Sequence, residues 1–237
     1  MSPHPLAPAA LFELGSFAHA ALFQDAVYAW EALGRIGPYL ATLTTGVRGE
    51  VAAGAWLIGG GIHIDEGTVV EAGAYIQGPC VIGRDCEVRH GAYLRGNVVV
   101  GDRCVIGHAT EVKGSIFLDD AKAGHFAYVG DSILGANVNL GAGTKLANLR
   151  LDRRAIVISL AGDRIDSGRR KLGAILGDGA ETGCNSVTNP GSILGVRARL
   201  FPCAVASGYN GPDCVIGAPT AHVTLREVSQ DSHVDTT

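Results

Sequence analysis

The chain has 237 residues, a net charge of −4 and 47% hydrophobic residues, so it is long enough for one or two folded domains and too apolar for a disordered protein. Its 34 glycines and only 6% aromatic residues favour many tight turns around small inward side chains. The sequence lacks the clustered basic charge of nucleic-acid binders and any stretch near the ~18 apolar residues of a membrane span, so we expect neither partner.

The first 50 residues are predicted to form a helical cap. Residues 1–10 lack the positively charged start of a signal peptide, so we expect a cytoplasmic location. Residues 9–43 carry apolar side chains at helical spacing, most clearly between Phe23 and Leu40. We expect this segment to cover the open end of the domain that follows, where strand edges would otherwise be unpaired.

A six-residue repeat begins at residue 53, and each repeat ends in an aliphatic residue. The pattern runs through eleven hexads without a miss: Ile58, Ile64, Val70, Ile76, Ile82, Val88, Leu94, Val100, Ile106, Val112 and Leu118. A small residue often stands two places earlier: Thr68, Ala74, Cys80, Cys86, Ala92, Cys104 and Thr110. Three hexads, each turning at a Gly or Asp corner, close an 18-residue coil. The repeat predicts an all-β domain, a left-handed parallel β-helix, over residues 51–220.

The six cysteines contain no Cys-x-x-Cys pair, so the sequence indicates no metal site of that kind. Cys80, Cys86 and Cys104 occupy the small inward position of the repeat, and we interpret them as packing residues.

Residues 18 apart are expected to lie one above the other on the β-helix. Arg95 and Lys113 have this spacing, and each directly follows an inward aliphatic residue. Two stacked cations at one corner are typical of a site for phosphate or another anion, although two solvated surface charges would show the same spacing. His90 and His108 have the same separation, and packing or a shared hydrogen-bond ladder explains them adequately.

His125 is a separate candidate because the hexad pattern breaks around it, in the segment KAGHFAYVGDS. Breaks in a regular scaffold are often functional. The pattern returns at Leu134, Leu140 and Leu146 and again from Leu176 to Leu200. Between these runs, residues 150–171 are predicted to form a loop extruded from the β-helix, and residues 221–237 a polar tail.

Two motifs carry a resemblance to a known family. The segments KAGHFAYVGD (residues 122–131) and GANVNLGAGT (residues 135–144) closely resemble the acetyltransferase domain of the bifunctional glucosamine-1-phosphate acetyltransferase/N-acetylglucosamine-1-phosphate uridyltransferase. The resemblance covers about residues 50–220. No Gly-rich nucleotide loop precedes residue 50, so the chain looks like a short, stand-alone relative of that family.

The resemblance implies a role for individual residues. His125 matches the general base, and a family lysine aligns loosely with Arg154. The matches to sugar-phosphate contacts are Arg95, Lys113, Tyr128 and Asn139. The matches to acetyl-CoA contacts are Ala142, Asn148 and Cys184. The chain departs from the family at Leu149, where an aromatic residue is usual, and in the length of the loop at residues 150–171.

The resemblance implies an acyltransferase that moves an acetyl group from acetyl-CoA to the amine of a hexosamine 1-phosphate, feeding UDP-N-acetylglucosamine synthesis. It also implies a homotrimer, with a separate nucleotidyltransferase as a possible partner. Seven basic residues against three acidic ones in residues 150–171 suggest a loop that is mobile when empty and folds over the cofactor phosphates through Arg169, Arg170 and Lys171.

Two alternatives use the same fold. One is a non-catalytic, sugar-nucleotide-binding regulatory subunit, which the departures at Leu149 and in the loop would fit. The other is a zinc lyase of the γ-carbonic anhydrase type with His90, His108 and His125 as candidate ligands from adjacent subunits, although the paired-His spacing of that family is missing.

Overall fold

Three parallel sheets form the sides of a triangular, left-handed β-helix, as the hexad pattern predicts. The computed structural model describes residues 3–217. Each turn of the chain contributes one strand to each sheet, and every strand pairs with the corresponding strand of the next turn. The helices within residues 3–217 are all too short or too polar to cross a membrane.

The strands are numbered in chain order. Sheet 1 contains β1 (Gly46–Val47), β4 (Ile62–Ile64), β7 (Cys80–Ile82), β10 (Val98–Val100), β13 (Ile116–Phe117), β16 (Ile133–Leu134), β21 (Ala174–Leu176), β24 (Ser192–Leu194) and β27 (Tyr209–Asn210). Sheet 2 contains β2 (Glu50–Val51), β5 (Val69–Val70), β8 (Glu87–Val88), β11 (Val105–His108), β14 (Lys122–His125), β17 (Asn139–Leu140), β22 (Glu181–Thr182), β25 (Arg199–Leu200) and β28 (Val215–Ile216). Sheet 3 contains β3 (Trp56–Ile58), β6 (Tyr75–Gln77), β9 (Tyr93–Arg95), β12 (Glu111–Lys113), β15 (Tyr128–Gly130), β18 (Lys145–Leu146), β23 (Val187–Thr188) and β26 (Val205–Ala206).

The interior of the triangle is filled by the predicted inward rows. The aliphatic positions from Ile64 to Val112 are buried in one continuous core, together with the small residues two places before them. Burial raises the pKa of the Cys80 thiol to about 12, so this cysteine stays neutral and acts as a packing residue. The two ends of the predicted series are wrong, because Leu57 and Phe117 point inward instead of Ile58 and Leu118.

The register changes by one residue beside Lys113, before the chain reaches His125. Ile82 pairs with Val100, 18 residues later, but Val100 pairs with Phe117, only 17 residues later. The corner between sheets 3 and 1 is therefore one residue shorter in this turn. The predicted break at His125 was placed too late in the chain, because Ile116, Phe117 and Leu118 are all apolar and the sequence does not show which one faces inward.

The N-terminal segment covers the outer side of sheet 1 and does not cap the end of the β-helix. Its helices are α1 (Pro8–Leu11) and α2 (Ala32–Leu40), with 3₁₀ turns at Ala20–Phe23 and Ala29–Glu31. Its apolar side chains pack on a row of outward residues from sheet 1: Val81, Val99, Ile116, Ile133, Ile175 and Ile193. The predicted end cap is thus corrected, since Val51 and Leu57 in the first turn stay only half-buried.

Residues 150–171 leave the β-helix, as predicted, but they form a folded arm. Strands β19 (Val157–Leu160) and β20 (Asp163–Asp166) pair as an antiparallel hairpin, and a bridge between Leu149 and Lys171 closes its base. Ile156 and Ile158 are buried in the same apolar cluster as the N-terminal segment. We call residues 150–171 the hairpin arm. The predicted empty, mobile loop is corrected to a packed hairpin.

Candidate active site

Arg95 and Lys113 lie one above the other at the corner between sheets 3 and 1, as their spacing predicts. Strands β9 and β12 pair with Leu94 opposite Val112, so the next residues of the two strands are stacked. Each cation has an acidic neighbour. Arg95 Nη1 donates to Glu111 Oε1 at 2.7 Å, and Lys113 Nζ lies 3.1 Å from Asp131 Oδ2. The corner therefore holds two oriented cations.

Asp131 connects Lys113 to Asn148. Its side chain is nearly buried, and its backbone has a φ of 48°, the left-handed conformation of a tight corner. Asn148 Nδ2 donates to Asp131 Oδ2 at 2.6 Å, while Lys113 approaches both carboxylate oxygens. A buried carboxylate needs such partners, so Asp131 fixes the positions of both side chains.

Tyr128 faces the same group of side chains from strand β15. A Cβ atom at Gly130 would lie 2.6 Å from both the Tyr128 hydroxyl and Asn148 Nδ2, so only glycine permits this close approach. Burial raises the pKa of Tyr128, and the Glu111 carboxylate adds to the shift. The phenol therefore stays protonated at neutral pH and is a hydrogen-bond donor.

A cavity of about 310 Å³ opens at this corner, between the β-helix and helix α2. Its charged lining residues are Arg95, Lys113, Asp131 and Arg169 of the hairpin arm. Three cations face one carboxylate, so the cavity suits an anionic ligand. We call this cavity the anion corner.

His125 lines a different cavity, of about 440 Å³, on the outer side of sheet 2. Asn139, Ala142 and Cys184 line it as well, because their turns stack above the His125 turn. Cys184 is exposed. We call this space the histidine cavity. It shares no lining residue with the anion corner.

The three histidines form a column, but they are held differently. His90 Nδ1 donates to Ala72 O at 2.7 Å, and His108 Nδ1 donates to His90 O at 2.8 Å, so their rings stack 5.7 Å apart. The His125 ring has no hydrogen-bond partner within residues 3–217; in its row, His108 O accepts the Phe126 N–H at 2.9 Å. His125 is thus the member of the column whose two ring nitrogens are available to a ligand. Among the same residues, no three His, Cys, Asp or Glu side chains are grouped closely enough to hold a metal ion.

Phe126 forms a wall beside His125. It has a φ of 49°, which is rare for a bulky residue, and its ring is 54% exposed. The ring packs edge-on against His108, with centroids 5.4 Å apart. An exposed aromatic side chain in a strained conformation beside a free imidazole is typical of a functional site.

The residues assigned from the sequence separate into two groups. Arg95, Lys113 and Tyr128 meet at the anion corner, and His125, Ala142 and Cys184 meet in the histidine cavity. Two assignments fall in the opposite group from the one predicted. Asn148, expected with the cofactor residues, contacts Asp131, and Asn139, expected with the sugar phosphate, lines the histidine cavity. Arg154 lies in neither cavity; its side chain is exposed on the hairpin arm.

The sequence analysis missed Glu111, Asp131 and Arg169. Asp131 follows Lys113 by 18 residues, so the stacking argument that found Arg95 could also have found it. Arg169 carries no such signal, because the hairpin arm interrupts the repeat.

Comparison with known proteins supports this assignment of the chain. Residues 76–200 match the family model described as the GMPPB C-terminal domain. The chain is 46% identical over 90 residues to a bifunctional sugar-1-phosphate nucleotidylyltransferase/acetyltransferase of Sulfurisphaera tokodaii, covering 38% of this chain and 22% of the relative. It is 42% identical over 83 residues to the bifunctional protein GlmU of Methanococcus maripaludis strain C7, covering 35% of this chain and 20% of the relative.

The matched regions thus span about a fifth of each of these relatives. A solved hexapeptide transferase family protein from Anaplasma phagocytophilum is 18% identical, covers 69% of this chain and 74% of its own, and has a TM-score of 0.33. The resemblance stated from the motifs is confirmed by these relatives. Because the family model matches more than half of its residues, the chain belongs to the GMPPB C-terminal domain family.

Proposed function

We propose that this protein transfers an acetyl group from acetyl-CoA to the amine of a hexosamine 1-phosphate, with His125 as general base. The observation that carries the proposal is the free imidazole of His125, which faces a cavity lined by Asn139, Ala142 and Cys184. The relatives support the reaction class, since one is named a nucleotidylyltransferase/acetyltransferase of sugar 1-phosphates.

In the proposed step, the amine nitrogen attacks the thioester carbon of acetyl-CoA. The nitrogen–carbon bond forms, the carbon–sulfur bond breaks, and the amine loses one proton. An imidazole with an ordinary pKa near 6.5 is largely neutral at cellular pH and can accept that proton. The proton then passes to the departing CoA thiolate, so His125 returns to its starting state.

The anion corner is proposed to hold the phosphate of the sugar. Lys113 and Arg95 supply the charge, and Tyr128 supplies a neutral hydrogen-bond donor, since its raised pKa keeps the phenol protonated. A phosphate fixed at this corner would orient the rest of the sugar and hence its amine.

The two cavities lie at opposite ends of the sheet 3 side of the triangle. That side is about five residues long, or ~16 Å at ~3.3 Å per residue, which is too far for one sugar phosphate to contact both. We therefore propose a homotrimer in which the His125 of one copy faces the anion corner of a neighbour. The chain's own N-terminal segment covers sheet 1, which leaves the outer sides of sheets 2 and 3 for the neighbouring copies.

The setting follows from the chemistry. Acetyl-CoA and sugar phosphates are cytoplasmic metabolites, so we propose a cytoplasmic location. The acetylated product is a substrate for a nucleotidyltransferase, and a separate enzyme of that class would complete the route to UDP-N-acetylglucosamine. The bifunctional relatives carry a nucleotidylyltransferase in their names, which supports this pairing.

The assay incubates the protein with acetyl-CoA and glucosamine 1-phosphate and measures free CoA thiol together with the N-acetylated product. N-acetylglucosamine 1-phosphate, which offers no free amine, is the control acceptor. We expect CoA release only with the free amine. Absence of turnover with bound sugar nucleotide would contradict the proposal and favour the regulatory subunit.

Cys184 provides an independent test of where acetyl-CoA binds. We expect acetyl-CoA to slow the alkylation of Cys184 by iodoacetamide at least several-fold, because the thiol lies in the histidine cavity. Cys203 is also exposed but lies outside that cavity, so its alkylation should not change. Mass spectrometry of the two peptides gives both rates. Equal rates for Cys184 with and without acetyl-CoA would place the cofactor elsewhere.

A further inference from the structure

Arg169 brings a third cation into the anion corner from outside the β-helix. It follows strand β20 at the end of the hairpin arm, and it lines the cavity together with Arg95 and Lys113. A methyl group added at Gly34 of helix α2 would lie 3.6 Å from Arg169 Nη1, so the guanidinium reaches across to the N-terminal segment. The arm and the N-terminal segment therefore meet at the cavity.

The charge of Arg169 is not used within the chain. Glu111 and Asp131 lie close to Arg95 and Lys113, respectively. Arg169 has no carboxylate within salt-bridge distance among residues 3–217, and its one side-chain hydrogen bond there joins Nε to Lys171 O at 3.3 Å. Its two terminal nitrogens are free to donate to a ligand in the fork geometry that matches phosphate oxygens.

Helix α2 presents glycine to this cavity. Gly34 and Gly37 both line it, and a methyl group at Gly37 would lie 3.6 Å from Asn97 Oδ1. Neither glycine has a positive φ, and Ala is the better helix former, so backbone conformation does not explain them. Their effect is to leave space beside the cations.

We propose that Arg169 and the glycine face of helix α2 complete the anion corner as a pocket for a phosphate monoester. The three cations and Asp131 leave a net charge of +2 on the lining, which matches a monoester close to its dianionic form at pH 7. This inference deepens the proposed function and rests on it for the use of the pocket in substrate binding.

The inference also revises the expected role of the basic run. Arg170 and Lys171 line a separate cavity of about 620 Å³ on the other side of the arm. Arg169 also contacts that cavity, but it is the member of the run that reaches the anion corner. The run therefore does not act as one clamp, and the two neighbours can be tested against each other.

The test is calorimetric titration with inorganic phosphate, glucosamine 1-phosphate and 3′-AMP. Arg169→Gln should weaken glucosamine 1-phosphate binding about tenfold or more, as expected for a lost charge-assisted contact. Arg170→Gln is the matched control and should bind like the parent. Gly34→Leu should fill the pocket and abolish binding, whereas Gly34→Ala, whose methyl group fits, should bind and melt like the parent.

The ligands distinguish the source of the phosphate. Preference for glucosamine 1-phosphate over 3′-AMP identifies a sugar-phosphate pocket, and the reverse identifies a pocket for the 3′-phosphate of coenzyme A. Unchanged affinity in Arg169→Gln, or equal weakening in Arg169→Gln and Arg170→Gln, would overturn the proposal. Since binding is measured without turnover, a protein that binds phosphate through Arg169 but releases no CoA would contradict the proposed function alone.

Discussion

His125→Asn is expected to lower kcat for acetyl transfer by ~10²–10⁴-fold, the contribution of a general base. Asn keeps a polar side chain of similar reach but cannot take the amine proton. The His125 side chain is exposed and has no hydrogen-bond partner within residues 3–217, so the melting temperature should stay within ~2 °C of the parent. Steady-state kinetics and a thermal melt provide the two readouts.

His108→Asn is the matched control for this variant. Its ring is one turn below His125 and is held by the His90 carbonyl, so it is not free to accept a proton through Nδ1. We expect kcat within about tenfold of the parent. A His125→Asn enzyme within the same range would remove His125 from the chemistry, and a larger loss in His108→Asn would assign the base to its neighbour.

Lys113→Met is the second variant with a large expected effect, because it removes a substrate cation and leaves Asp131 without its ion pair. The Asp131 side chain is only 11% exposed, so the uncompensated carboxylate should lower the free energy of unfolding by ~1–3 kcal/mol. Glucosamine 1-phosphate affinity should fall about tenfold or more. Urea unfolding and calorimetric titration measure the two quantities separately.

The double variant Lys113→Met/Asp131→Asn separates stability from binding. Its neutral amide no longer needs a cation and can still accept a hydrogen bond from Asn148, so most of the lost stability should return. Affinity for the sugar phosphate should not return. Recovery of affinity together with stability would mean that Lys113 acts only through the fold.

The sequence predicted the interior of the β-helix because inward positions recur every six residues and corners tolerate few residue types. It did not reveal that the outer side of sheet 1 is buried, although the signal was present. Every third hexad carries a second aliphatic residue before the inward one, as in Val81, Val99 and Ile116. A strand that is apolar on both faces is typically covered on both. That pattern would have placed the N-terminal segment along the side of the β-helix.

The candidate site was predictable only where residues stack within the repeat. Arg95 and Lys113 followed from their spacing, and Asp131 could have followed in the same way. The one-residue shift beside Lys113 was hidden by three consecutive apolar residues. Arg169 was not predictable as part of the corner, because its position depends on how the hairpin arm packs against helix α2.

The most direct test of the shared site mixes two inactive variants. His125→Asn keeps an intact anion corner, and Lys113→Met keeps the histidine, so trimers assembled from equal amounts of both contain sites with every functional group. If each site takes His125 from one copy and Lys113 from its neighbour, random assembly restores about a quarter of the parent sites. We therefore expect acetyl transfer to glucosamine 1-phosphate at about a quarter of the parent rate. Activity no higher than that of the separate variants would contradict a catalytic site shared between neighbouring copies.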